Sequence, residues 1–214
     1  MLRGLEAVGF ERVCATPHQK ASQFMPSFEA IETAYSQTKA ALSETGATLA
    51  LSLAAENFWD HVFFERSRSG GFPRYDQGKV FLFEIPTEDV PTRFEDTLFN
   101  ICTKGFFPVM AHPERYAPFW RDVDRLKQIG QTCALVVDLG ALAGYHGWRF
   151  GRVAKRLVSE RLVHAAASDA HSPQDVRAAA EGIAWIKKKL GPEAVTRLME
   201  DNPRAILEGV LPET

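Results

Sequence analysis

Cysteine is scarce in this chain. Cys14, Cys102 and Cys133 are the only three in 214 residues, odd in number and widely spaced. That spacing argues against a disulfide framework or a zinc knuckle, and each thiol lies in an apolar stretch, as buried cysteines of a reducing cytoplasm do. Long hydrophobic runs are missing too: nothing approaches the roughly 18 apolar residues of a membrane span. The opening Met1-Leu2-Arg3-Gly4-Leu5-Glu6 has no signal-peptide core. Nor is there an excess of one charge. A formal net charge of −2 offers no basic surface to nucleic acid or anionic lipid. Repeats and low-complexity tracts are absent. These absences predict a soluble cytoplasmic protein, and 45% hydrophobic residues in 214 suffice for one domain spanning 1–214.

What is present alternates. Apolar, strand-like runs are Val13-Cys14-Ala15, residues 48–55, residues 79–83, Phe106 to Met110, residues 134–139 and Leu162 to Ala167. Between them, spacing near 3.6 residues predicts helices over 27–45, 92–104, 123–129 and 148–159, and two more close the chain. Residues 67–73, rich in serine and glycine, read as a loop. Strand and helix in alternation predict an α/β protein with a parallel sheet or an α/β barrel.

The ionisable residues follow that pattern. His18, Glu56, Glu84, His112, Asp169 and His171 each stand at or just past the end of a strand-like run, the edge where α/β proteins place their chemistry. Asp169 and His171 are two apart, so extended backbone would point both to one side and let them grip one ion. Carboxylate and imidazole together suit manganese, zinc or iron. Singly, each has a plainer reading. His18 is a loop histidine, Glu56 and Glu84 cap following helices, and Asp169 is the N-cap of the helix near Ser172-Pro173. Jointly they predict a metal-dependent hydrolase. His61, His146 and His164 stand outside the pattern, in surface or core roles.

Several segments carry a family resemblance: Ala15-Thr16-Pro17-His18, Ala55-Glu56-Asn57-Phe58, Phe83-Glu84-Ile85-Pro86, Ala111-His112-Pro113-Glu114-Arg115-Tyr116, Leu142 to Gly147 and Ala167-Ser168-Asp169-Ala170-His171. Together they resemble the polymerase-and-histidinol-phosphatase (PHP) superfamily, and within it the CpsB/CapC-type tyrosine phosphatases of capsule and exopolysaccharide synthesis. The resemblance implies a distorted (β/α)7 TIM-like barrel and a centre of two or three ions, typically Mn2+. It implies hydrolysis of phosphotyrosine on the tail of a bacterial tyrosine kinase that regulates polysaccharide synthesis. His18, Glu56, Glu84, His112, Asp169 and His171 would then be metal ligands. Arg115 would clamp phosphate through its planar fork of donors, or else pair with Glu114 or another acid nearby; Arg177 is a second candidate. No cysteine stands in a Cys-x5-Arg loop, which argues against a cysteine nucleophile.

Such relatives open with a strand carrying Asp-x-His-x-His and then an Asp-Asp-Gly turn. This sequence opens at Leu2-Arg3-Gly4-Leu5 and contains neither motif. The expectation is a barrel without its first strand, with exposed neighbouring edges able to pair with a second copy, and fewer ions than the family. Two other functions stay open at this point: hydrolysis of a small phosphate monoester, or a catalytically impaired module that holds a kinase tail.

Overall fold

The computed structural model describes all residues of the chain except Ser22. In order, the helices are α1 (Leu2–Val8), α2 (Phe28–Glu44), α3 (His61–Ser69), α4 (Phe94–Thr103), α5 (Ala117–Arg121), α6 (Val123–Gly130), α7 (Leu139–Ala143), α8 (Trp148–Ser159), α9 (Pro173–Leu190), α10 (Pro192–Thr196) and α11 (Asn202–Leu207). The strands are β1 (Arg12–Ala15), β2 (His18–Gln19), β3 (Ala50–Leu53), β4 (Glu56–Phe58), β5 (Val80–Glu84), β6 (Phe107–Ala111), β7 (Ala134–Asp138) and β8 (Ala165–Ala167). No helix among the described residues is long and apolar enough to cross a membrane.

All strand pairs are parallel, with orders β1-β3 and β2-β4-β5-β6-β7-β8. The two sheets are in effect one. Pro17 separates β1 from β2 and Ala54-Ala55 separates β3 from β4, yet the ladder continues through Ala54 N–H to Ala15 O (2.9 Å) and Glu56 N–H to Pro17 O (3.1 Å). Strands therefore lie side by side in chain order, which places every C-terminal strand end along one rim. A parallel sheet is buried on both faces, and the outer face here is aromatic. Trp59, Phe63, Phe72, Phe81, Phe83 and Phe94 interlock at centroid separations of 4.7 to 6.1 Å. On the other side of the molecule α9 lies so close to α7 that a Cβ at Gly182 would come within 2.3 Å of Leu139 O; only glycine permits that approach.

Four expectations need correction. Residues 67–69 are not loop but the last turn of α3. Asp60 caps that helix by accepting from Val62 and Phe63 N–H, Phe63 and Ser67 give it a buried face, and Gly70 (φ 73°) ends it. The strand over 48–55 bends at Ala54-Ala55, so Glu56 begins β4 instead of following a strand end. The run from Leu162 is extended strand only from Ala165. Of the three free cysteines only Cys133 is fully buried; Cys14 and Cys102 are half-buried.

His164, which precedes β8, is a core residue. It is 2% exposed, its Nδ1 accepts Leu135 N–H at 3.0 Å, and Asn202 Nδ2 donates to its carbonyl. Burial pushes its pKa down to about 4 from 6.5, so the folded state holds the ring neutral where the unfolded chain would protonate it. The linkage sign follows: this contribution is present above pH 6.5 and is lost as pH falls toward 4, by roughly 3 kcal/mol in full. Urea denaturation between pH 7 and 4 should show that slope, and His164→Asn, which keeps an acceptor, should flatten it; parallel loss in both proteins would refute the assignment.

Candidate metal centre

The rim of the sheet carries the chemistry. Register pairs His18 with Glu56 across β2 and β4, and Phe58 with Glu84 across β4 and β5. His112 follows β6 directly, opposite the end of β7. Tyr116, fully buried, fixes this corner: its hydroxyl donates to Ala111 O (3.0 Å) and accepts Ile85 N–H (3.3 Å), tying the residues next to His112 and Glu84 together.

Glu56 is the hub. Its carboxylate, 4% exposed, lies 3.0 Å from His112 Nε2 through Oε1 and 2.6 Å from His18 Nδ1 through Oε2. Glu84 Oε2 is 3.7 Å from His112 Nε2. His171 Nε2 approaches His18 Nε2 to 3.2 Å, and the two rings stack at 5.3 Å between centroids. Five of the six expected ligands thus form one contiguous cluster. Asp169 is paired with Arg115, whose Nη2 donates to its Oδ2 at 2.5 Å. The extended backbone assumed for Asp169 and His171 is broken by the left-handed Asp169 (φ 43°), and His171 Nδ1 lies 2.9 Å from Asp169 O. His112 is left-handed as well (φ 36°). Such backbone is costly for residues other than glycine and concentrates at functional sites. Arg177 is exposed on α9.

The plainer roles fall away. The N-cap of α3 is Asp60, that of α4 is Arg93, and that of α9 is Ser172 in a capping box with Asp175, so Glu56, Glu84 and Asp169 cap none of them.

The electrostatics are those of a shared-proton cluster. Burial alone would raise Glu56, but the hydrogen bond with His112 and the close pairing with His18 outweigh it and hold the carboxyl at about 2. Pairing with Glu56 raises His18, and the same partner raises His112 despite the opposing effect of burial. Glu84 is raised by burial and by the adjacent Glu56 charge.

Donor atoms of His18, Glu56 and Glu84 all lie within 4.8 Å of one another, a grouping that can hold a metal ion. A test of fit comes from the orphaned ring nitrogens. Among the described residues His112 Nδ1 is buried without a hydrogen-bond partner, and His18 Nδ1, though close to Glu56, makes no aligned hydrogen bond. Groups that converge without satisfying one another suit a common cation better than they suit each other. A mixed imidazole–carboxylate set fits manganese, iron or zinc. The cluster opens on a trench of about 1660 Å3 whose wall also includes Asp138, Asp169 and His171, larger than the usual 300–1,000 Å3 of a small-molecule pocket.

Sequence reasoning missed Asp138 and placed His146 outside the pattern. Asp138, at the end of β7, is buried and pairs with both Arg115 Nη2 and His146 Nε2 at 2.8 Å. Those partners keep it ionised against the effect of burial. Its position at a strand end was the signal available. Arg115 is ion-paired, as one expectation had it, but with Asp138 and Asp169 instead of Glu114. Glu114 is fully buried; its Oε1 accepts Asp138 N–H, its Oε2 has no partner, and burial beside the Asp138 charge pushes it up to about 7.

Because the histidines gain protons through Glu56, a cation must displace them. Affinity for Mn2+ should therefore rise with pH through the range above 6.5, the ordinary histidine value from which both are raised. Calorimetry in buffers of different ionisation enthalpy should report net proton release; pH-independent binding without release would exclude these imidazoles as ligands.

Comparison with known proteins agrees with this geometry. The profile of the family described as capsular polysaccharide synthesis, CpsB/CapC, matches residues 1–208. The tyrosine-protein phosphatase YwqE of Bacillus subtilis (strain 168) is 31% identical over 125 residues, a match that spans 58% of this chain but only about half (49%) of that protein. The tyrosine-protein phosphatase CpsB of Streptococcus pneumoniae is 26% identical over 216 residues, covering 93% of this chain and 85% of that one. A solved structure from work on those two proteins, described as metal-dependent tyrosine phosphatases, superposes with a TM-score of 0.88 at 24% identity, over 100% of this chain and 87% of its own, and shares the fold. The chain belongs to the CpsB/CapC family of capsular polysaccharide synthesis.

Proposed function

We propose that this chain is a metal-dependent phosphatase acting on phosphotyrosine, with the phosphorylated tail of a bacterial tyrosine kinase of capsule or exopolysaccharide synthesis as substrate. One observation carries the reading: a buried carboxylate, Glu56, shared by His18 and His112 with Glu84 alongside, at the C-terminal rim of a parallel sheet. The relatives named above support it. The strand order, which follows the chain, supports reading the sheet as the wall of a distorted (β/α)7 barrel. The edges left unpaired at β2 and β8 among the described residues favour a homo-oligomer.

In this reading His18, Glu56, Glu84 and His112 would hold the primary cation, Mn2+ by preference, with His171, stacked on His18, and Asp169 able to reach it or a neighbour. Bound there, the cation supplies Lewis acidity to a phosphate oxygen and lowers the pKa of water. The chain's own residues do the rest. Arg115 donates to phosphate oxygens through Nε and Nη1, which have no hydrogen-bond partner among the described residues. The trench admits a peptide as well as its phosphorylated side chain. Phe24, 56% exposed with its ring centroid 5.6 Å from that of His18, offers a face to the phenyl ring. That ring favours an aryl phosphate over a small alkyl ester, because aromatic contacts are worth about 0.5–1.5 kcal/mol.

The test is turnover of a phosphotyrosyl peptide by the manganese-loaded protein beside its metal content. Loss of outer partners of metal ligands already costs 10–100-fold, so Glu56→Gln and His112→Ala should lose at least ~100-fold in activity and part of the bound metal. Phe24→Ala should raise KM for the peptide about threefold to tenfold with little change for an alkyl phosphate. Unchanged activity and metal content in Glu56→Gln would discard the assignment; equal effects of Phe24→Ala on both substrates would discard the aryl preference.

A further inference from the structure

We propose that Asp138 and His146 are positioning residues that hold the Arg115 guanidinium in place for phosphate. The inference rests on the phosphatase reading above and adds to it a device that neither the strand-end pattern nor the comparisons name.

Asp138 is fully committed to its neighbours. Its side chain is 1% exposed, and each oxygen is engaged: Oδ1 accepts Gly140 N–H at 2.6 Å, and Oδ2 accepts from Arg115 Nη2 at 2.8 Å and stands 2.8 Å from His146 Nε2. A carboxylate gripped from three directions cannot turn, so it holds Arg115 in one orientation. The backbone is built for this contact. Gly144 (φ 85°) and Gly147 (φ 98°) flank Tyr145-His146 and fold the loop back on α7. Gly140 leaves the space the ring occupies: a Cβ there would stand 3.0 Å from His146 Nε2 and 3.1 Å from Asp138 Oδ1.

The need for such a tether follows from the other partner of Arg115. The same Nη2 that reaches Asp138 also reaches Asp169 on the trench wall. A cation in the trench would compete for the Asp169 carboxylate and would repel the guanidinium. Asp138, buried at the end of β7, retains Arg115 whatever Asp169 does, and His146 keeps Asp138 pointed at it. Nε and Nη1, which make no hydrogen bond among the described residues, are left to donate to the ligand. His146 touches no phosphate in this arrangement; it acts through Asp138 and Arg115.

The experiment measures affinity for inorganic phosphate by calorimetry on the manganese-loaded protein, together with KM and kcat for a phosphotyrosyl peptide. His146→Ala and Gly140→Ala, the latter displacing the ring without removing it, should weaken phosphate binding and raise KM about tenfold, with metal content unchanged and kcat moved less. His146→Gln, which can still donate to Asp138, should recover to within about threefold of wild type. In the metal-free protein, ring 15N shifts of His146 should show the proton on Nε2, and Asp138→Ala should abolish that preference. Wild-type phosphate affinity in His146→Ala, or a His146→Gln protein as weak as His146→Ala, overturns the inference. Should His146→Ala fail to fold, Gly140→Ala and His146→Gln decide by the same criteria. A wild-type protein that binds phosphate but does not cleave the peptide refutes the phosphatase reading and leaves this inference to the phosphate affinities; one that does neither overturns both.

Discussion

A carboxylate buried between two imidazoles governs this molecule. Glu56 has almost no access to water, and an unpaired charge in that position would be too costly to keep. It stays ionised because His18 comes to it from the adjacent β2 and His112 from the end of β6, beyond β5. The sheet makes that meeting possible: parallel strands in chain order bring residues 18, 56, 84 and 112 to successive positions on one rim. The fold therefore assembles a cluster whose groups need protons when empty and can exchange them for a cation. Stability and chemistry draw on the same contacts.

A second, smaller network accompanies the first. Arg115 joins Asp138 to Asp169, and the left-handed backbone at His112 and Asp169 turns each side chain out of the strand direction. Backbone strain of this kind costs of order 1–3 kcal/mol per residue and persists only where surrounding contacts hold it. Here Tyr116 anchors the corner beside His112, and the Arg115 pair holds Asp169.

Much of this was legible in the sequence. Alternating apolar runs announced the parallel sheet, and acids and histidines at their ends announced the rim. Five of the six candidate ligands meet because strand order follows chain order, which makes strand ends a sound guide to proximity. What escaped notice depended on local backbone or on long-range partners. The turn of α3 at residues 67–69 was hidden by serine and glycine, since its stability comes from the Asp60 cap and the burial of Phe63. The break in extended backbone at Asp169 rests on one positive φ angle that no spacing rule reveals. Asp138 read as the end of an apolar strand, and only the folded chain shows that the loop after α7 returns His146 to it. Hydrophobic periodicity reports which face is buried; it is silent on which charge finds which.

The most direct test of the central claim is anomalous diffraction from crystals of this protein grown with Mn2+. The account predicts an anomalous peak in contact with Glu56 and His18, with Glu84 completing the nearest shell. A peak elsewhere on the protein, with Glu56 still bridging the two imidazoles through protons, would contradict it.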